Sequence, residues 1–93
     1  MRVFYDTETT GFKPGSICQL AYLIENDQRE IVKASNRFFT IPERDEASAM
    51  KAAEVTGLYP DKLKVLSGGH TFKESAQDIY NDFTNKIHVA HNI

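Results

Sequence analysis

Apolar and polar positions divide this chain into a first half with strand-like runs and a second half with helical spacing. Val3-Phe4-Tyr5 is a short apolar run that predicts a buried strand over Arg2 to Tyr5, followed by turn chemistry at Thr9-Thr10-Gly11 and Lys13-Pro14-Gly15. Ile17 to Glu25 is rich in β-branched and aromatic residues and apolar on both parities except for Gln19, the pattern of a strand covered on both faces. Asn26-Asp27-Gln28 is a turn by composition, and Glu30 to Ile41 returns as a longer strand that Pro42 ends. Three strands joined by short connections make an antiparallel meander.

After Pro42 the composition changes to Ala, Glu and Lys. Glu46 to Val55 consists of good helix formers, with Gly57 placed to stop the helix, and Pro60-Asp61-Lys62-Leu63 reads as a further short turn. Ser67-Gly68-Gly69-His70 is a flexible link into the clearest helix, Thr71 to Asn85. There Thr71 and Glu74 have capping-box spacing, and Phe72, Ala76, Ile79, Tyr80, Phe83 and Ile87 form one stripe. His88 to His91 is then a short strand that follows a helix and so lies parallel to an earlier strand. The expected strand order is third, second, first, fourth.

With 93 residues the chain is one domain at most and buries about 60 to 65% of the surface its unfolded form exposes. Hydrophobic content of 41% and charged content of 26% exclude wholesale disorder. A net charge of −2 provides no basic field for gripping a duplex by phosphate neutralisation, so any nucleic-acid partner must be drawn to a local site. The lone Cys18 excludes an intrachain disulfide and a cysteine-based zinc site, and is expected to be a buried small apolar residue. Acidic residues come too early for a signal peptide, and no apolar run approaches the ~18 residues of a membrane span. A cytoplasmic location is the expectation.

The chemistry concentrates in Asp6-Thr7-Glu8. A strand repeats its side-chain direction every second residue, so both carboxylates point to one side of the strand end and can hold a divalent cation between them. The simpler account is a pair of exposed polar residues. Phosphodiester hydrolysis with two cations about 3.5 to 4 Å apart needs several carboxylates, of which these would be the first half.

Phe4-Tyr5-Asp6-Thr7-Glu8-Thr9-Thr10-Gly11-Phe12 resembles the first motif of the DnaQ-like (DEDD) 3'-5' exonucleases, and Val89-Ala90-His91-Asn92 resembles the start of their second. The resemblance implies an α/β fold of ribonuclease H-like type: a mixed sheet, with an antiparallel three-strand meander plus a parallel strand, and helices. Asp6 and Glu8 become ligands of Mg²⁺ or Mn²⁺, while Thr9, Thr10, Gly11, Phe12, His91 and Asn92 become substrate-side residues. Glu46-Ala47-Ser48-Ala49 is similar to the family's segment after the third strand. Thr56 stands where many members have a substrate-contacting histidine, with Gly57 explained equally well as a helix terminator. The family's third and fourth carboxylates have no counterpart among these 93 residues, so the chain is expected to be the N-terminal portion of a single exonuclease domain, C-terminally incomplete and nearly inactive alone.

The implied substrate is a single-stranded or frayed DNA 3' end, with a replicative polymerase subunit as a candidate partner. An RNA 3' end is the alternative within the family. Two readings come from other classes. A non-catalytic metal-binding or interaction module would use the uncovered apolar sheet for self-association or domain swapping. An aspartate-based phosphotransferase would use Asp6 as a covalent nucleophile, but Glu8 is longer than that mechanism expects and the Val-Ala-His-Asn run has no role in it.

Overall fold

The computed structural model describes residues 1–10, 17–41 and 46–90. Seven elements follow one another: β1 (Arg2–Thr9), β2 (Ile17–Glu25), β3 (Ile31–Phe38), α1 (Glu46–Thr56), α2 (Pro60–Ser67), α3 (Phe72–Phe83) and β4 (Ile87–Ala90). They form an α/β domain around a mixed four-stranded sheet in the order β3-β2-β1-β4, as expected. β1 pairs antiparallel with β2 and parallel with β4, whose Val89 lies opposite Phe4. A ribonuclease H-like exonuclease fold has this arrangement.

Side chains alternate across each strand, so the sheet has two different faces. One carries Val3 on β1 and Leu20, Tyr22 and Ile24 on β2, all buried, with Ile79 of α3 against them. Phe83 closes this face from α3 with edge-to-face contacts to Tyr5 and Tyr22, at ring-centroid distances of 5.4 and 5.2 Å. Phe39, just past β3, meets Phe72 at the start of α3 at 5.2 Å. Thr71 caps α3 as predicted: its Oγ1 accepts from Glu74 N–H, and the Glu74 carboxylate accepts from Thr71 N–H.

A polar tie fixes α3 on the sheet. Tyr22 O–H and Lys33 Nζ both donate to Asp82 Oδ2, at 2.5 and 2.6 Å. Burial acts to raise the Asp82 pKa, but the hydrogen bonds from Lys33 and Tyr22 outweigh it and hold the carboxyl below its ordinary 3.8. A depressed folded value gives a stabilisation that is complete above 3.8 and disappears as pH falls through the folded pKa. Asp82→Asn should therefore lower the urea midpoint at neutral pH, and the gap from the parent chain should close on acidification below that range. A gap that persists unchanged at low pH would contradict this assignment.

Several expectations change. β1 continues to Thr9 because Asp6, Thr7 and Glu8 pair with Ala21, Leu20 and Gln19, so the carboxylates sit within the strand. β3 is shorter than Glu30 to Ile41: Phe39 N–H still meets Cys18 C=O at the bulge of β2, but Thr40 N–H turns to His70 C=O, which takes the chain off the sheet. Pro60 starts a helix instead of a turn. Its fixed φ suits the first helical position, Leu63 is fully buried, and Gly68 ends α2 at φ 64° with its N–H on Lys64 and Val65 carbonyls. On α3, Tyr80 is 65% exposed, because the 72-76-79-83 spacing turns it one step past the buried stripe, and Ile87 belongs to β4. β2 is covered on one face only among the described residues, with Leu23 43% exposed.

Candidate functional site

Asp6 and Glu8 lie on the second face of the sheet, opposite the α3-covered side, together with Phe4. The strand register places Asp6 in one cross-sheet row with Ala21 and Asn36, and Glu8 in the next with Gln19 and Phe38. Asp6 is exposed and Glu8 half-buried. The small Ala21 leaves a groove of about 730 Å³ beside Asp6, lined also by Phe4, Leu23, Asn36 and Val89. A mostly apolar concavity ending in a few polar groups is the ordinary form of a small-ligand site.

A β-bulge shapes the carboxylate end of β1. Glu8 pairs with Gln19 but Thr9 with Ile17, so Cys18 is the extra residue. Its carbonyl accepts from Phe39 N–H at 2.9 Å and its thiol donates to Glu8 C=O at 3.4 Å. Cys18 is 2% exposed, and burial, with the nearby Glu8 charge adding to it, pushes the thiol up to about 11. It is the buried small residue that the sequence predicts, unreactive at neutral pH.

Both carboxylates supply the hard oxygens that Mg²⁺ and Mn²⁺ prefer. Among the described residues, no lysine or arginine forms an ion pair with either. Three basic residues of the sheet are engaged elsewhere, Arg2 with Glu25 at the start of β1, and Lys33 and Arg37 on the α3 face with Asp82 and Asp78. The donor set therefore fits a divalent cation, in part: among the described residues no three His, Cys, Asp or Glu side chains stand together as a complete cage.

Thr9 is exposed and Thr10 is 3% exposed, at the end of the same strand. Gly11, Phe12, His91 and Asn92 lie outside the described residues. The other histidines have local roles. His88 Nε2 donates to Phe83 C=O at 2.6 Å and its ring meets the Phe83 ring edge-to-face, while His70 pairs with Glu74 at 2.8 Å. Thr56 Oγ1 accepts from Leu58 N–H, and Gly57 ends α1 at φ 76°. The polar residues that sequence reasoning misses are Gln19 and Asn36, joined by a Gln19 Nε2 to Asn36 Oδ1 hydrogen bond of 3.0 Å. Gln19 carries a signal: it is the single polar break in the apolar stretch before Glu25.

No curated protein matches the chain. The RNase_T family, described as Exonuclease, matches residues 3–93, a span that includes both carboxylates and every described element except Arg2, the first residue of β1. The chain belongs to the RNase_T exonuclease family.

Proposed function

We propose that this chain carries the first half of the active site of a metal-dependent 3'-5' exonuclease acting on DNA ends. The observation that carries the reading is the placement of Asp6 and Glu8 on one face of β1, with no cationic partner among the described residues, in a chain of the exonuclease family. Bound there, Mg²⁺ or Mn²⁺ would lower the pKa of water to yield a nucleophile at neutral pH and stabilise the leaving oxygen of the phosphodiester. Asp6 and Glu8 would hold the cations. Thr9 and Thr10, at the end of β1, would meet the terminal nucleotide, and the resemblance gives Gly11, Phe12, His91 and Asn92 substrate-side roles as well. Because the net charge is −2, attraction of the phosphate falls to the loaded site and not to a basic surface.

A DNA 3' end freed from a duplex is the substrate, in a proofreading or repair setting beside a polymerase subunit and in the cytoplasm. No helix among the described residues is long and apolar enough to cross a membrane. Two further carboxylates are needed to complete a two-cation cage, so the 93-residue chain alone should release nucleotides very slowly or not at all. Internally labelled DNA and RNA oligonucleotides with free or blocked 3' ends, incubated with Mg²⁺ or Mn²⁺ and a chain extended by its downstream sequence, test the reading. Shortening of DNA that a blocked 3' end prevents is the expected result; cleavage indifferent to the 3' end refutes the direction, and preference for RNA refutes the substrate.

A second property follows from the open sheet face. Leu23, Val89 and Ile87 are 43, 37 and 65% exposed on the side away from α3, and contiguous apolar surface favours association. The 93-residue chain should sediment as a dimer or larger species, and Leu23→Glu should shift it toward monomer. A parent chain that is monomeric at high micromolar concentration would rule this out.

A further inference from the structure

The two cross-sheet rows that hold the carboxylates also hold a linked pair of amides, Gln19 in the Glu8 row and Asn36 in the Asp6 row. Gln19 stands directly across from Glu8 on the neighbouring strand, so their side chains leave the same face with Cβ atoms about 4.5 to 5.5 Å apart. It is the last regular pair before the bulge at Cys18, where the Glu8 backbone is held by the Cys18 thiol. One N–H of the Gln19 amide is used by Asn36 Oδ1 at 3.0 Å. An amide nitrogen has two hydrogens, so a second donor remains on the same nitrogen. The link to Asn36 restricts the orientation of a side chain that would otherwise rotate freely on an open face.

We propose that Gln19 is a positioning residue for Glu8: hydrogen-bonded to Asn36 and directly across from Glu8, it offers its remaining N–H to the Glu8 carboxylate when a cation binds there, and so fixes that carboxylate as a ligand. Carboxylates that ligate a cation are themselves oriented by hydrogen bonds, and removal of such a support costs about 10- to 100-fold in metal affinity. Asn36 is placed for the supporting part. It lies in the Asp6 row and lines the same groove as Asp6, so the two amides flank the carboxylate pair along one side. The residue order is then Asn36 to Gln19 to Glu8, each acting on the next. This inference rests on the proposed metal role of Asp6 and Glu8 and adds to it the group that aims one of them.

The test is Mn²⁺ binding to the 93-residue chain, followed by electron paramagnetic resonance, in a double-mutant cycle. Gln19→Met keeps the length of the side chain and removes its donors; affinity should fall about tenfold. In a Glu8→Ala background the same substitution should change nothing further, because the group it acts through is gone. Asn36→Ala should weaken binding in the parent and add nothing to Gln19→Met. Thermal midpoints of the variants should match the parent, since Asn36 is exposed and Gln19 half-buried. Parent-like affinity in Gln19→Met, or an equal loss with and without Glu8, overturns the inference and leaves the metal reading standing. A parent chain that binds Mn²⁺ no better than an Asp6→Ala/Glu8→Ala variant overturns the metal reading, and the inference with it.

Discussion

In the extended chain proposed as the active form, Asp6→Ala is expected to reduce metal-dependent nucleotide release by about 1,000-fold or more, with the fold unchanged. A thousandfold corresponds to about 4 kcal/mol of transition-state stabilisation, within the several kcal/mol that a correctly held cation contributes to phosphoryl chemistry. The side chain is exposed and makes no ion pair among the described residues, so its removal should cost little stability. Activity and folding are thereby separable. Asp61→Ala is the matched control: Asp61 is an exposed aspartate in the first turn of α2, and its loss should leave the rate within about twofold of the parent. Single-turnover rates at saturating Mn²⁺, read alongside thermal unfolding, give both quantities. An Asp6→Ala rate within tenfold of the parent would remove the carboxylate from the chemistry. A rate lost together with the folded signal would show a structural role instead.

Phe83→Ala should destabilise the domain by about 3 kcal/mol, the largest stability loss expected of any single substitution at the α3–sheet contact. Its ring is half-buried, which places the expectation at the low end for a phenylalanine, but it meets Tyr5, Tyr22 and His88 at centroid distances of 5.4, 5.2 and 5.2 Å. Aromatic contacts of this kind contribute about 0.5 to 1.5 kcal/mol each beyond burial. The ring also joins α3 to β1, β2 and β4 at once, so truncation weakens three attachments of one helix. For a chain of this length the melting temperature should fall by about 12 to 24 °C. Tyr80→Ala, three residues earlier and 65% exposed, should shift it by only a few degrees. Equal losses for the two variants would mean that α3 is held elsewhere, with the Tyr22-Asp82-Lys33 tie as the alternative anchor.

The parts of the fold legible in the sequence are those that local chemistry specifies. The bounds of β2 are readable from β-branched and aromatic enrichment, and the capped start of α3 from Thr71 and Glu74 three residues apart. The parallel placement of β4 follows from a strand arriving after a helix. The carboxylate pair is readable for the same reason: side-chain direction repeats every second residue whatever the rest of the chain does. Helix α2 is not, because Pro60-Asp61 suits a turn as well as a first helical turn, and the burial of Leu63 that decides between them is a tertiary fact. Spacing alone extends the α3 stripe too far, to Tyr80 and Ile87, since it does not show how wide a surface the sheet presents.

By itself, then, the sequence determined that Asp6 and Glu8 share one side of a strand, which strands and main helix form, and that the net charge cannot attract nucleic acid. Only the tertiary structure decided which face of the sheet α3 covers, that the carboxylates stand on the other, and that Gln19 lies across from Glu8 with Asn36 behind it. Those relations depend on strand register, where a slip of one residue would turn every side chain to the opposite face. Register is fixed by pairing between segments distant along the chain and by the bulge at Cys18, neither of which is encoded in the local alternation of apolar and polar residues.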